Sequence, residues 1–270
     1  MSYPIAIVSD CGGQAMSRMM TRYLALFSNA ACVGYESSSL VEASGNLVDA
    51  LDALMGHEGA VVCNSAPRRD ALGTNGSAIV YGTVGKVTVV STVGVLGFLK
   101  RLVPDFTARA LDMDAFMRMK CGNKSLTTHN FRGLQVIPFV LQFLKIGHDL
   151  SKVSTPHDKF PTVEPCVWLI DTIEGRPTNL KLSILRSEAL WFVPGNAVWI
   201  SLGETDPKEL RCYERLTHIP EGGIGIYEGS SGLGDDRFLE IAVMGGSAAE
   251  TLGIPTLFYT EHPQITIMKG

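Results

Sequence analysis

Apolar residues in the first half of the chain switch between two periods. Residues 5–8 (IAIV) form a short continuous run that predicts a buried strand. Met16, Met19, Met20, Tyr23, Leu24 and Phe27 then recur at helical spacing. Leu47, Ala50, Leu51, Leu54 and Met55 repeat that spacing after Ser44 and stop at Gly56. Residues 60–63 (AVVC) return to a strand, so strand and helix alternate as they do in a layer of parallel strands covered by helices. Residues 77–81 and 87–91 read as a hairpin across 82–86, and residues 134–146 as an apolar helix with Pro138 in its first turns or at a kink.

Residues 151–165 break this rhythm with clustered prolines and no apolar period. Short strand-like runs dominate beyond them, at 167–170, 180–184, 197–201, 224–227, 238–243 and 265–268. The expected fold class is therefore α/β. An N-terminal α/β sandwich-like domain spans residues 1–150, a linker spans 151–165, and a smaller C-terminal β-barrel-like domain spans 166–270. The run 238–243 ends in Gly245, Gly246 and Ser247. Ser247 suits the N-cap of a short helix, with Glu250 completing a capping box and Gly253 closing the turn.

Composition narrows the function classes. With 270 residues, 46% of them hydrophobic, the chain can bury two cores. A net charge of −4 gives no general attraction to nucleic acid or anionic membrane. No apolar run approaches the ~20 residues that span a bilayer, and the start lacks the basic and apolar regions of a signal peptide, so a cytoplasmic protein is expected. The six cysteines form no CxxC pair and are expected to be reduced. The histidines show no HxxxH spacing, so no metal site is expected. Residues 82–86 (GTVGK) imitate a phosphate loop, but Val80 and Val87 stand where its first glycine and its Ser/Thr belong.

Three segments in order carry a resemblance. Residues 5–12 (IAIVSDCG) resemble a strand ending in T-D-F-G. Residues 167–179 resemble an I-D-x-F-G-N-x-x-T-N element, and residues 239–253 resemble a strand followed by GGSAAE and LG. Together they resemble the S-adenosylmethionine (SAM) hydroxide adenosyltransferases, the family that includes SAM-dependent fluorinating and chlorinating enzymes. The resemblance implies nucleophilic attack at C5′ of SAM, with SAM as substrate and no separate cofactor. It implies that Asp10 binds the ribose diol and that Asp171 holds the methionine ammonium. Ser230 or Ser231 would reach the methionine carboxylate, Asn179 would join that site, and the backbone of Gly246, Ser247 and Ala248 would read adenine. It also implies a homotrimer, or another homo-oligomer, with an inter-subunit site for this small-molecule partner.

The departures fall on the catalytic set of the hydrolytic members. The family's V-V-D-P-G-V-G appears as residues 61–67 (VVCNSAP), so Asn64 replaces the Asp, and the loop to Arg68 and Arg69 is shorter. An amide is no base at neutral pH. His129 corresponds only loosely to the family's F-H-G-R-D histidine. Arg69, His129 and Asn64 are thus the altered catalytic set. Two alternatives accompany the SAM reading. One recruits the scaffold to a different biosynthetic reaction on an amino acid or aromatic metabolite, with Arg68, Arg69 and Arg132 clamping a carboxylate and His129 or Glu174 moving protons. The other is a non-catalytic nucleoside-binding protein.

Overall fold

The structure, a computed structural model, describes residues 2–66, 77–121, 131–173, 176–254 and 262–269. They divide into two compact units, Met1–Thr162 and Val163–Gly270.

The first unit begins with β1 (Tyr3–Ser9), α1 (Gly13–Leu26), β2 (Ala30–Glu36), α2 (Leu40–Leu54) and β3 (Gly59–Asn64). It continues through β4 (Ile79–Val84), β5 (Val87–Thr92), α3 (Gly97–Leu102), β6 (Ala108–Leu111) and α4 (Met113–Cys121). The last elements are α5 (Arg132–Gln135), α6 (Ile137–Lys145) and β7 (Ser154–His157). The sheet runs β2-β1-β3-β5-β4-β6-β7. Its first four strands are parallel, and β4, β6 and β7 join antiparallel. β1 and β3 are apolar on both faces because they lie inside this sheet, as parallel strands do. Met16, Met19 and Tyr23 of α1 and Val140 and Leu141 of α6 fill the core above Ile5, Ile7 and Val62.

Two expectations change here. α2 starts before Ser44, earlier than the apolar stripe that follows it suggests. Ser39 is its N-cap and accepts from Glu42 N at 3.0 Å, while buried Ser44 accepts from Phe98 N at 3.1 Å. The linker expected at 151–165 is also shorter. Residues 151–153 form a helical turn, and β7 pairs with β6. Pro156 misled the reading because an edge strand tolerates a residue without an N–H. Ser154 anchors β7 by bonding Tyr81 Oη at 2.7 Å and accepting from Arg109 Nε at 2.9 Å.

The second unit contains β8 (Val167–Ile173), β9 (Arg176–Leu185), β10 (Ala197–Leu202), β11 (Lys208–Cys212), β12 (Ile224–Leu233) and β13 (Asp236–Val243). It ends with α7 (Ala248–Thr251) and β14 (Ile265–Lys269). The strand order is β14-β10-β11-β12-β13-β9-β8. The two outermost strands meet at one end. Cys166 bridges Gln264, Val167 N donates to Pro263 O at 3.0 Å, and Ile265 N donates to Pro165 O at 2.9 Å. This closure makes the sheet barrel-like, around a core of Leu180, Leu182, Ile226, Leu239 and Ile241. Among the described residues, no helix is long and apolar enough to cross a membrane.

Candidate functional site

In the first unit the chain leaves β1 for β2 on one side of the sheet, and β3 lies on the other. Open α/β sheets bind ligands outside the carboxyl ends of strands at such a switch point. Asp10 and Asn64 both stand there. Asp10 is exposed, and its carboxylate accepts from Ala66 N and from Cys11 Sγ, each at 3.4 Å. Buried Ser9 ties the two strand ends together: its Oγ donates to Asn64 O and accepts from Cys11 N, each at 3.1 Å. Thr92 Oγ1, at the end of β5, donates to Ser65 O.

Arg132, the first residue of α5, joins this edge. Its Nη1 donates to Ser77 O at 2.6 Å. Burial pulls the guanidinium below its usual range, while the Asp10 carboxylate pushes it back up. Gly133 lets α5 approach, since a Cβ there would lie 3.0 Å from Asn64 Nδ2. The edge therefore offers an exposed carboxylate, an amide and a half-buried guanidinium. Such a set can bind hydroxyls and anions, but it contains no general base held against a nucleophile. Arg68, Arg69, His129 and Glu174 lie outside the described residues.

In the second unit, Asp171, Asn179, Ser230 and Ser231 gather on neighbouring strands around three residues that the sequence pattern does not single out. Tyr227, Glu240 and Lys181 form one row across β12, β13 and β9, because Tyr227 pairs with Glu240 and Glu240 with Lys181. Tyr227 Oη donates to Glu240 Oε2 at 2.6 Å, and Asn179 Nδ2 donates to Tyr227 Oη at 3.3 Å. Lys181 Nζ donates to Ser231 Oγ at 2.7 Å and lies 3.8 Å from Asp171 Oδ1. Burial raises the Glu240 carboxyl above its usual range, although its bond from Tyr227 and the Lys181 charge oppose that. Burial also raises Asp171, against Lys181. Tyr227 is raised too, by burial and then by its bond to Glu240.

A register shift in β12 between Glu228 and Gly232 bends Ser230 and Ser231 out of the ladder, and Ser230 N donates to Glu240 Oε1 at 3.3 Å. Gly229 makes room, since a Cβ there would come within 2.3 Å of the same oxygen. The expected role of Asp171 thus meets an internal competitor, because Lys181 already presents an ammonium to it. The signal that could have exposed this row was a carboxylate inside the apolar run 238–243.

Gly246, Ser247 and Ala248 form the turn after β13. Gly245 has φ 76°, Gly246 N donates to Val243 O at 3.2 Å, and Ser247 Oγ accepts from Glu250 N at 3.1 Å. The expected N-cap is therefore present. Within the backbone expected to read adenine, the Gly246 N–H is engaged in the turn, and Ala248 is fully buried. Among the described residues, no three His, Cys, Asp or Glu side chains cluster to hold a metal ion.

No protein-family model matches this sequence, and no curated protein matches it. Solved structures do match its fold. An uncharacterized conserved protein from Thermotoga maritima superposes with a TM-score of 0.70 at 19% identity, over 98% of this chain and 100% of that one. A conserved hypothetical protein from Thermus thermophilus gives a TM-score of 0.63 at 17% identity, over 98% and 100% of the two chains. This α/β architecture with a second β-rich unit is therefore shared along the full length of both.

Proposed function

We propose that the chain is a small-molecule-binding protein for nucleosides of the SAM class, related to the SAM hydrolases and adenosyltransferases but with their water-activating set altered. The observation that carries this reading is the meeting of Asp10 with Asn64 at the switch point of the first sheet. A carboxylate with exposed lone pairs can accept from both hydroxyls of a ribose. The amide of Asn64 can bind polar groups there but cannot take a proton from water. The same reading makes the protein cytoplasmic, and a homotrimer or other homo-oligomer.

Calorimetry with adenosine and with SAM tests it. Binding is expected in the wild type, and Asp10→Ala removes charge-assisted hydrogen bonds worth roughly 1.5–3 kcal/mol, or one to two powers of ten in affinity. Failure of both ligands to bind at millimolar concentration rejects the nucleoside reading. Turnover of SAM to adenosine and methionine is expected to be slow. Asn64→Asp alone does not restore it, because the loop to Arg69 is shorter than in the family. Wild-type turnover on the order of 1 s⁻¹ or faster overturns that part.

Arg132 favours a second reading, in which the same edge holds a carboxylate-bearing metabolite and carries out a different reaction. A half-buried guanidinium beside an exposed polar edge is the group that recognises such an anion bidentately. Loss of carboxylate binding in Arg132→Gln, with adenosine never bound, would select it.

A further inference from the structure

The exposed face of α1 carries a groove that the nucleoside reading leaves unused. It is an open groove of about 410 Å³ between Gln14, Arg18, Arg22 and their neighbours on α1 and Leu134 of α5. The hydroxyls of Ser17 and Thr21 also line it, but they donate back to the helix, to Gly13 O at 3.3 Å and Ser17 O at 2.9 Å. The donors left to the groove are Gln14 and two guanidinium groups.

Aromatic rings hold those guanidinium groups. Arg18 lies over Phe131 at 6.0 Å and Arg22 over Phe139 at 5.8 Å. Lys120 brings a third cation onto the same Phe139 ring at 3.1 Å. Among the described residues, neither Arg18 nor Arg22 has an ion-pair partner. Like charges four residues apart on a helix repel, and a chain of net charge −4 does not place cations together by composition alone. An anion lying between the two forks removes that repulsion.

We infer that this groove is a binding subsite for the phosphoryl group of a small phosphorylated molecule. Its volume suits a small ligand. A dianion with three or more oxygens can engage two arginine forks at once, whereas a single carboxylate satisfies one and leaves the other repelled. The groove adjoins the carboxyl edge of the sheet: α1 starts three residues after Asp10, and Phe131 immediately precedes Arg132. It does not depend on the nucleoside reading, because the phosphoryl group is recognised by α1 alone.

Calorimetric titration with inorganic pyrophosphate tests the assignment. The wild type and the exposed-arginine control Arg211→Gln are expected to bind alike, and the double variant Arg18→Gln/Arg22→Gln to bind about tenfold or more weakly. Arg18→Lys/Arg22→Lys keeps the charge and loses the forks, so its loss is expected to be smaller. Asp10→Ala is expected to bind pyrophosphate like the wild type, which separates this site from the nucleoside site. Acetate and malonate at matched ionic strength are expected to bind more weakly than pyrophosphate. No wild-type binding at about 10 mM pyrophosphate, equal affinity in the wild type and both double variants, or malonate binding as tightly as pyrophosphate would each overturn the proposal.

Discussion

The carboxyl edge of the first sheet and the polar row of the second contain similar side chains in opposite conditions. Asp10 is exposed, with long contacts and a cation beside it. Glu240 is 3% exposed, and both its oxygens accept from groups on β12. An open carboxylate retains its capacity for a ligand, whereas a closed one has committed it to its own strands. Residue type therefore does not separate binding from scaffolding; the number of acceptor positions already used does.

Substitutions can break or sharpen this contrast. The largest effect is expected for Glu240→Ala, which strands Tyr227 Oη and Ser230 N and costs roughly 3 kcal/mol of stability in denaturant unfolding. A loss below about 0.5 kcal/mol would show that the row is not a fastening. Gly229→Ala forces a methyl into the Glu240 carboxylate and is expected to cost about 2 kcal/mol. Asp10→Ala is expected to change stability by less than about 0.5 kcal/mol while weakening adenosine, so loss of fold there would erase the distinction.

The smallest effect is a slope with pH. Because burial raises Glu240, the folded state holds its proton at pH values where the unfolded chain has released it. The stabilisation is complete below the ordinary value of 4.5 and is lost as pH rises through the folded value. Asp171 acts in the same direction. Unfolding curves of Glu240→Gln are therefore expected to fall less steeply with pH above 4.5 than those of the wild type, and parallel curves would contradict this.

The sequence made β1, α1, β3 and the β4–β5 hairpin legible because their burial follows one clear period. β2 was not legible. It is an edge strand whose residues Ala31, Val33, Gly34 and Glu36 are exposed, so it has no apolar signature. Asp10 and Asn64 were reached only through the resemblance carried by residues 5–12 and 61–67. Glu240 left one signal, a carboxylate inside the apolar run 238–243, but Lys181 left none, since alternation between Leu180 and Leu182 reads as a solvent-facing position. Here the second face is also buried, as Trp168 and Phe238 show at 0% exposure. The register that aligns Tyr227, Glu240 and Lys181 depends on pairings between distant strands, which a local period cannot express.

The hydrogen bonds that join Pro165 and Val167 to Pro263 and Ile265 also bear on how the second unit forms. They link the two ends of that unit's sequence, so forming them closes nearly the whole unit into one loop. The entropy of closing so long a loop is lost well before these bonds offset any of it. Closure is accordingly expected late in folding and early in unfolding. The Val167 and Ile265 amides should exchange with solvent through a local opening, ahead of the amides at the centre of β13.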